Sequence, residues 1–433
     1  MNSASLVEDT TRSARVPTCP PAAVRGTRLQ ALLRSALLAR LAGLEWGRVT
    51  LSDAQGEVRL GCGGEHAPDV RVEVLDPAFW ADVALSGSVG AGESYVAGRW
   101  RCEDLPGLVR ILVRNRSVLQ GMEGGLARLS APLLKLAHRL RDNSRAGSRR
   151  NIAGHYDLGN DFYALFLDET MTYSCALFER EGPDLRAAQL AKLERICRKL
   201  DLRPSDHLLE IGTGWGAMAL HAASRFGCRV TTTTISREQH ALALERVRQA
   251  GLEARVTVLL EDYRDLSGTY DKLVSIEMIE AVGERHLDGY FRRCSELLAP
   301  HGAMLLQAIT MQDQLYDEMR RGVDFIQRHV FPGSHLPSVG AIAGCVARCT
   351  DLRIAHLEDI TPHYVTTLRL WRERFLANVG RVRALGFSGE FVRLWEYYLA
   401  YCEGGFAERS IGDVQILLTK PLQRGRPVLG QLA

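Results

Sequence analysis

The chain has 433 residues, of which 46% are hydrophobic and 24% are charged; these are globular averages, and they exclude a disordered or fibrous class for most of the length. The length exceeds one ordinary core, so we expect two or three domains. The formal net charge of +3 is small for this size, so only local clusters of charge can attract an acidic partner, and we expect no nucleic-acid partner.

The ten cysteines are scattered, with no C-x-x-C pair and no histidine at a metal-ligand spacing. We therefore expect no metal site and reduced, mostly packed thiols. The apolar stretch from Leu29 to Trp46 is interrupted by Arg34 and Arg40, which predicts an amphipathic surface helix instead of a membrane span or a signal segment. Together these features indicate a cytoplasmic protein.

The first 120 residues divide into two segments. Residues 1–25 contain Pro17, Pro20 and Pro21 with little periodicity, which predicts a flexible leader. Residues 26–120 combine a helix with short alternating runs and glycine-rich turns, which predicts a small α+β domain. Its stretch from Gly87 to Asp104 holds no catalytic constellation that chemistry alone reveals, and it is a candidate binding module.

Residues 121–150 form the most basic segment. Between residues 125 and 150, seven Lys or Arg residues stand against one acid, Asp142, and leucines recur at helical spacing (Leu126, Leu129, Leu133, Leu136 and Leu140). The pattern predicts a basic amphipathic helix that runs into a linker. Such a helix docks on anionic lipid headgroups or simply stands solvated between two domains, and the segment alone leaves both interpretations open.

Residues 151–433 have the pattern of a larger domain. From about residue 200, apolar strands alternate with helical runs, which predicts a doubly wound parallel sheet with its ligands at the carboxyl ends of the strands. The predicted strands are His207–Ile211, Arg229–Ile235, Val256–Leu260, Lys272–Ile276 and Ala303–Ile309. A mostly helical insertion is expected at about 312–350, followed by strands at Leu352–Ile360 and Gln415–Thr419.

The first predicted strand runs into a glycine-rich loop that opens a helix. Glu210 precedes Gly212, Gly214 and Gly216, and the glycines let a ligand approach the main chain closely. With Ala217 in the last place the loop also fits a dinucleotide pattern. However, the second strand ends in Thr233–Ser236 and lacks the acid that grips an NAD ribose, so the loop favours S-adenosylmethionine (SAM). Asp262 and Tyr263, after the third strand, suit its adenine.

Several longer motifs accompany this loop in a fixed order. They are His155–Tyr163, Met171–Ala176, Ile211–Gly216, Thr234–Gln239, Asp262–Asp265, Ser275–Gly283, Phe331–Pro332, Leu336–Ser338 and Tyr401–Phe406, with Gly87–Asp104 in the small domain. Together they resemble the cyclopropane fatty acid synthase family, which includes the mycolic acid cyclopropane synthases. The resemblance covers most of the chain after the leader.

The resemblance implies a fold and two sites. The fold is an α/β class I SAM-dependent methyltransferase (Rossmann-like) sheet with a small N-terminal α+β lipid-binding domain. The resemblance also implies that the SAM site is formed by Tyr173, Ser174, Gly212, Gly214, Gly216, Thr234, Gln239, Asp262 and Tyr263. A bicarbonate ion near the reacting carbon maps to Cys175, Glu280, Gln307, Ile309 and Tyr364, and Cys402 matches a further active-site cysteine. Gln307 stands where the familiar synthases have a histidine, so this position can hydrogen-bond but cannot titrate.

The chemistry needs such residue types. An isolated alkene requires a strongly electrophilic methyl donor held in line. The resulting cation requires a dry pocket and the face of an aromatic ring such as Tyr364, and ring closure requires a general base. We expect Glu280 to carry this role by anchoring bicarbonate, although Glu277 could be the functional acid while Glu280 caps a helix. Cys175, Cys402 and Tyr364 could equally be packing residues.

The expected function is therefore transfer of a methylene unit from SAM to the double bond of unsaturated acyl chains in membrane phospholipids. The expected place is the cytoplasm, with peripheral association at the anionic inner face of the membrane; the sequence leaves monomer and homodimer open. Three alternatives remain. They are a methyl-branched fatty acid product, a small-molecule N-methyltransferase on the same core, and a catalytically dead lipid-binding protein.

Overall fold

The structure is a computed structural model, and it describes residues 27–122, 158–179, 182 and 184–425. The predicted leader, residues 1–25, lies outside this part of the chain. So does nearly all of the predicted basic helix and linker, residues 123–150, together with the first three residues of the His155–Tyr163 motif.

The small domain consists of one four-stranded sheet and the helices packed on it. Its sheet has the order β2-β1-β3-β4, with β1 and β3 parallel and the other pairs antiparallel. Val70, Val72 and Val74 face the core while the residues between them are more exposed, the two-residue period of a half-buried strand. The elements are α1 (Arg28–Leu41), β1 (Gly47–Asp53), β2 (Gly56–Gly63), β3 (Asp69–Val74), α2 (Ala78–Val96), β4 (Trp100–Cys102), α3 (Leu105–Arg114) and α4 (Arg116–Met122).

The large domain is built on a seven-stranded sheet. Its first half contains α5 (Asn160–Tyr163), α6 (Leu185–Lys199), β5 (His207–Ile211), α7 (Ala217–Phe226), β6 (Arg229–Thr234), α8 (Arg237–Gln249), β7 (Val256–Leu260), β8 (Tyr270–Ile276) and two short 3-10 turns (Ile279–Ala281 and Glu284–His286). Its second half contains α9 (Leu287–Leu297), β9 (Leu298–Met311), α10 (Asp313–Met319), α11 (Phe325–His329), α12 (Val339–Cys349), β10 (Arg353–Asp359), α13 (Thr361–Ala377), α14 (Val379–Ala384), α15 (Gly389–Ala407) and β11 (Ile411–Thr419).

The strand order β10-β11-β9-β8-β5-β6-β7 places β5 at the point where the chain reverses direction across the sheet. The pairs β5–β6, β6–β7, β5–β8 and β8–β9 are parallel, whereas β11 is antiparallel to β9 and β10. This architecture confirms the predicted Rossmann-like α/β class. Ligands of such sheets bind at the switch point, beyond the carboxyl ends of the strands.

Three strands are longer than predicted, and the first of them, β8, begins at Tyr270 instead of Lys272. β9 begins at Leu298 instead of Ala303, and β11 begins at Ile411 instead of Gln415. The earlier start of β11 follows from its antiparallel pairing with β9, which continues to Ile411 opposite Met311. Consequently Asp413 lies inside the sheet, where it is completely buried.

The small domain docks directly on the large one, mainly through α15, which packs against α3 and α2. A Cβ atom on Gly404 of α15 would lie 2.7 Å from Val109 of α3, and one on Gly92 of α2 would lie 2.4 Å from the ring of Phe325. Glycine at these two positions therefore permits the close approach of the two domains. Within the described ranges, no helix combines the length and the apolar character needed to cross a bilayer.

Candidate active site

One cavity of about 770 Å³ lies at the carboxyl ends of β5, β6 and β8. Its floor includes the loop after β5 and the segment after β8, and its walls include α13 and α15. The small domain closes one side with Val89 of α2 and Val109, Leu112 and Val113 of α3. Both domains thus enclose a single, mostly apolar space.

The cofactor side of this cavity contains nearly all the residues that the resemblance implied. The lining includes Tyr173, Ser174, Glu210, Gly212, Gly214, Thr234, Gln239, Asp262 and Tyr263. Gly212 and Gly214 have φ values of 102° and 52°, in the left-handed region that favours glycine. Gly216 is the N-cap of α7 and packs on Ala243, so its contribution is to the turn and not to the cavity wall.

Polar side chains fix the shape of this side. Thr234 Oγ1 donates to Gln239 Oε1 at 2.9 Å, and Ser236 caps α8 by accepting from the Gln239 backbone N–H. Arg264 donates to both carboxylate oxygens of Asp262, at 2.8 and 2.7 Å. These contacts hold the ends of β6 and β7 in place around the cavity.

Glu210, the last acid before the glycine loop, is 2% exposed. Its Oε2 atom is buried and has no hydrogen-bond partner within the described part of the chain. Burial raises the pKa of this carboxyl to about 8. An unpartnered buried carboxyl beside a glycine loop fits the cationic amino end of SAM, because a cation there would satisfy the oxygen and restore its charge.

The centre of the cavity contains a second carboxylate, Glu277, directly after β8. Its Oε1 accepts the Cys175 backbone N–H at 2.8 Å and Gln307 Nε2 at 2.8 Å, and its Oε2 accepts the Tyr364 hydroxyl at 2.6 Å. Glu277 also has φ 47°, a left-handed conformation that costs a non-glycine residue about 1–3 kcal/mol. The surrounding contacts hold it there.

Glu280 lies one turn farther along the chain and lines the same cavity. Its Oε1 accepts the Ile309 backbone N–H at 2.6 Å, while Oε2 is buried without a hydrogen-bond partner among the residues described. Burial, together with the charge of Glu277, raises the pKa of Glu280 to about 8. This raised pKa favours the neutral acid near pH 7, and the neutral acid is not the form that takes up a proton.

The residues implied for bicarbonate come together, but they do not fit that ion. Cys175, Gln307 and Tyr364 donate to Glu277, and Ile309 donates to Glu280. The second hydrogen of Gln307 goes to Asp413. All the expected donors thus bind carboxylates of the chain itself, and a further anion there would meet repulsion instead of hydrogen bonds.

The two cysteines differ in position. Cys402 lines the cavity, whereas the Cys175 side chain lies behind it with Sγ near the carbonyl oxygen of Ala176, at 3.2 Å. Burial raises the pKa of both thiols well above the usual range. Both are therefore protonated near neutral pH and lack the thiolate that a nucleophile requires.

Sequence reasoning missed three residues of this site. Asp413 accepts from Gln307 Nε2 at 3.0 Å, Gln415 donates to Gln307 Oε1 at 3.0 Å, and the buried Lys192 donates to Ser174 Oγ at 2.6 Å. For Asp413 and Gln415 the available signal was the occurrence of an acidic and an amide residue in an otherwise apolar strand, since buried polar groups require partners.

Comparison with known proteins agrees with this geometry. Residues 143–416 match the family described as mycolic acid cyclopropane synthetase. The tuberculostearic acid methyltransferase UfaA1 of Mycobacterium tuberculosis is 40% identical over 91% of this chain and 91% of its own length. The cyclopropane-fatty-acyl-phospholipid synthase of Escherichia coli K12 is 36% identical over 88% of this chain and 95% of its own length.

A solved structure adds a ligand-bound relative. The mycolic acid cyclopropane synthase CmaA1, complexed with SAH and CTAB, is 33% identical with a TM-score of 0.60, covering 63% of this chain and 98% of that one. The glycine loop, the carboxyl ends of the strands and the sequence relationship all agree. The chain therefore belongs to the mycolic acid cyclopropane synthetase family and is a SAM-dependent methyltransferase.

Proposed function

We propose that the protein transfers a one-carbon unit from SAM to the double bond of an unsaturated acyl chain of a membrane phospholipid, and that the product is a cyclopropane fatty acid. The observation that carries this proposal is the single cavity that joins the glycine loop, the Glu277 centre and an apolar wall. A small-molecule N-methyltransferase needs no such apolar extension. The name of the Escherichia coli relative supports the same substrate class.

The cofactor residues fit SAM. Glu210 would hold the amino end, the backbone of Gly212 and Gly214 would lie against the ligand, and Asp262 with Tyr263 would face the adenine. When bound, SAM supplies an electrophilic methyl group on a sulfonium that departs as a neutral thioether. The chain's own residues must then protect the cation that remains on the acyl chain.

The cavity is suited to protecting such a cation. Tyr364 is stacked on Phe406, with ring centroids 4.4 Å apart, and both rings line the space. Aromatic faces stabilise positive charge without reacting with it. Leu368, Ile309 and Phe331 complete an apolar surround, which excludes the water that would capture the cation.

Ring closure needs no redox partner. The alkene carbon gains the methyl group, a base removes one proton from that methyl, and the released C–H electron pair forms the third bond of the ring. A saturated methyl branch, by contrast, requires a hydride donor. Cyclopropanation therefore balances with SAM as the only co-reactant.

A methyl-branched product is the second candidate. Gln307 in place of the histidine of the familiar synthases favours it, as does the similarity to a relative named as a tuberculostearic acid methyltransferase. A methylidene branch has the same elemental gain as a ring, one carbon and two hydrogens. The saturated branch gains two further hydrogens.

Expression in a bacterium that lacks such an enzyme, followed by gas chromatography and mass spectrometry of its fatty acids, tests the proposal. We expect acyl chains heavier by one carbon and two hydrogens, with the shielded ring protons of a cyclopropane in the proton NMR spectrum. Vinylic methylidene protons would select the second candidate. Unchanged acyl chains, despite a folded protein that binds SAM, would contradict both products.

Docking on the anionic inner face of the membrane remains part of the proposal, because a phospholipid acyl chain must leave the bilayer to reach the cavity. The basic segment expected to make this contact lies mostly outside the described residues. On the described part of the cavity rim, Arg116 of α4 pairs with Glu318 of α10 at 2.8 Å. This pair links the small domain to the insertion beside the cavity.

SAM binding should release a proton near pH 7. In the free protein the raised pKa of Glu210, about 8, keeps this carboxyl mostly protonated, and a bound ammonium group lowers that pKa and expels the proton. The number of protons released falls as the pH rises through the pKa of Glu210 in the free protein. Titration calorimetry in two buffers of different ionisation enthalpy measures it, and a buffer-independent enthalpy near pH 7 would contradict the role of Glu210.

Leu112→Trp should block the acyl channel. Leu112 lines the cavity from α3, far from the cofactor loop in sequence, and an indole there fills space that the acyl chain needs. We expect turnover on phospholipid vesicles to fall by about tenfold or more while SAM affinity is retained. Leu85→Trp is the matched control, because Leu85 is 50% exposed and does not line the cavity. Equal effects of the two changes would contradict a channel along α3.

A further inference from the structure

Two carboxyl groups, Glu277 in the cavity wall and Asp413 behind it, accept hydrogen bonds from one amide nitrogen. Gln307 Nε2 donates to Glu277 Oε1 at 2.8 Å and to Asp413 Oδ2 at 3.0 Å. Gln307 and Asp413 are both 0% exposed. Two full negative charges so close together in a buried site repel each other strongly. The pair must therefore retain one proton.

The orientation of Gln307 is fixed from its far side. Lys199 has only donors, and its Nζ donates to Gln415 Oε1 at 2.8 Å. Gln415 Nε2 in turn donates to Gln307 Oε1 at 3.0 Å. Because of this series of hydrogen bonds, both hydrogens of Gln307 Nε2 point to the two carboxyl groups. Gln307 therefore bridges them but cannot take a proton from either.

The two carboxyl groups have unequal surroundings. Glu277 accepts three hydrogen bonds, from the Cys175 backbone, Gln307 and Tyr364, and such bonds favour the charged form. Asp413 Oδ2 accepts from Gln307 at 3.0 Å, and its buried Oδ1 has no hydrogen-bond donor at ordinary geometry in the described part of the chain. Burial and the neighbouring Glu277 charge raise the pKa of Asp413 well above its usual range.

We propose that Glu277 and Asp413 form a built-in carboxyl pair, in which Glu277 is the general base of the one-carbon transfer and protonated Asp413 positions it, so that the reaction needs no bicarbonate. This inference rests on the proposed function. In the step, the Glu277 carboxylate takes a proton from the transferred methyl group and becomes neutral. The C–H electron pair stays on carbon and closes the ring, and Glu277 returns its proton to solvent after product release.

The backbone of Glu277 supports a dedicated role. Its φ of 47° is unfavourable for a glutamate, and such strain persists where the surroundings over-determine a conformation. Here three hydrogen bonds to the side chain hold the carboxylate at the cavity surface. Its backbone N–H donates to the Gln307 carbonyl oxygen at 2.9 Å, which ties the strained residue to β9.

Other titratable groups also face the pair. Lys192 of α6 is buried near the pair; burial lowers the pKa of its ammonium group, and the nearby carboxyl charges oppose that shift. Glu280 follows on the same segment as Glu277, and Cys175, Tyr364 and Tyr398 lie on neighbouring elements. Burial raises the pKa of Cys175, Tyr364 and Tyr398, so these three stay protonated. Lys192 favours one negative charge in the cluster. We assign that charge to Glu277.

The first test compares turnover in buffer freed of carbon dioxide with turnover in the same buffer after addition of bicarbonate. We expect equal rates for the native enzyme. Glu277→Ala frees the Cys175, Gln307 and Tyr364 donors, so bicarbonate or formate should raise its very low rate at least about tenfold. Native turnover that depends on bicarbonate would overturn the carboxyl pair and leave the proposed function standing. A native enzyme that forms no acyl product contradicts the proposed function and the pair with it.

The second test examines Asp413. Asp413→Asn keeps an acceptor for Gln307 and mimics a neutral acid, so we expect turnover to fall by only about three- to tenfold, with the acidic limb of the pH–rate profile preserved. Asp413→Val removes the acceptor, and turnover should fall by about 10² or more. An Asn variant that binds SAM normally but is as inactive as the Val variant would show that Asp413 acts as an anion and would overturn the assignment.

Discussion

Glu277→Gln should reduce turnover by about 10² to 10⁴, the range for loss of general-base assistance, while SAM affinity changes little. The amide keeps the size of the side chain and can still accept from Tyr364 or Gln307, but it cannot take a proton. Single-turnover kinetics on vesicles of a monounsaturated phospholipid measure the effect. Calorimetry with SAM and thermal unfolding verify that the variant is folded.

Glu280→Gln is the matched control, since it makes the same chemical change three residues away. Because the raised pKa of about 8 keeps Glu280 mostly neutral near pH 7, an amide resembles its resting state, and we expect a loss of no more than about tenfold. This ranking reverses the expectation from the sequence, in which Glu280 carried the reaction. If Glu280→Gln were inactive and Glu277→Gln nearly as active as the native enzyme, Glu280 would be the functional acid, as the sequence suggested.

Glu210→Gln should weaken SAM binding by roughly 30-fold to several thousand-fold, since removing one member of a buried charge pair costs about 2–5 kcal/mol. Glu210 is 2% exposed, and its Oε2 has no hydrogen-bond partner among the described residues. Solvent therefore cannot replace the carboxylate charge that the Gln variant lacks. Equilibrium titration with SAM measures the change. At saturating SAM, the turnover of this variant should approach the native value much more closely than its SAM affinity does.

Glu238→Gln provides the comparison for this second change. Glu238 lies in the exposed first turn of α8, outside the cavity, so its SAM affinity should equal that of the native protein. A Glu210 variant that binds SAM as tightly as the Glu238 variant would contradict the placement of the amino end at Glu210.

The sequence was sufficient for the fold, and most of the residues predicted to bind the cofactor lie together in the wall of one cavity. The strands β5 and β7 were predicted with their observed limits, because buried parallel strands are apolar runs bounded by turns. The glycine loop and its flanking acid predicted the switch point, since only a turn with positive φ allows that approach. Gly216 alone differs, because whether a loop glycine faces a ligand or packs on a helix depends on the neighbouring α8.

The reacting centre was less predictable. Glu277 and Glu280 both follow the end of β8, and three residues of separation cannot reveal which carboxylate turns toward Tyr364 and Gln307. The choice depends on the left-handed backbone at Glu277, a conformation that no propensity predicts for glutamate. Asp413 was missed because the start of β11 is set by pairing with β9, a long-range contact.

The contribution of the small domain also required tertiary structure. Val109, Leu112 and Val113 have the spacing of an ordinary core-facing helix, and the sequence alone does not show that part of this face lines a cavity in the other domain. The glycine that allows α3 to approach α15 lies far away in the sequence, at Gly404. Docking of the domains, not local pattern, creates the apolar wall.

The most direct test of one-carbon transfer to an acyl double bond uses SAM with a fully deuterated methyl group, purified protein and vesicles of a monounsaturated phospholipid. We predict that the acyl chain gains one carbon that retains two of the three deuterium atoms, because a base removes the third during ring closure. A retained trideuteromethyl group would contradict ring closure and indicate a methyl branch. Acyl chains without any deuterium, while SAM is consumed, would contradict the account as a whole.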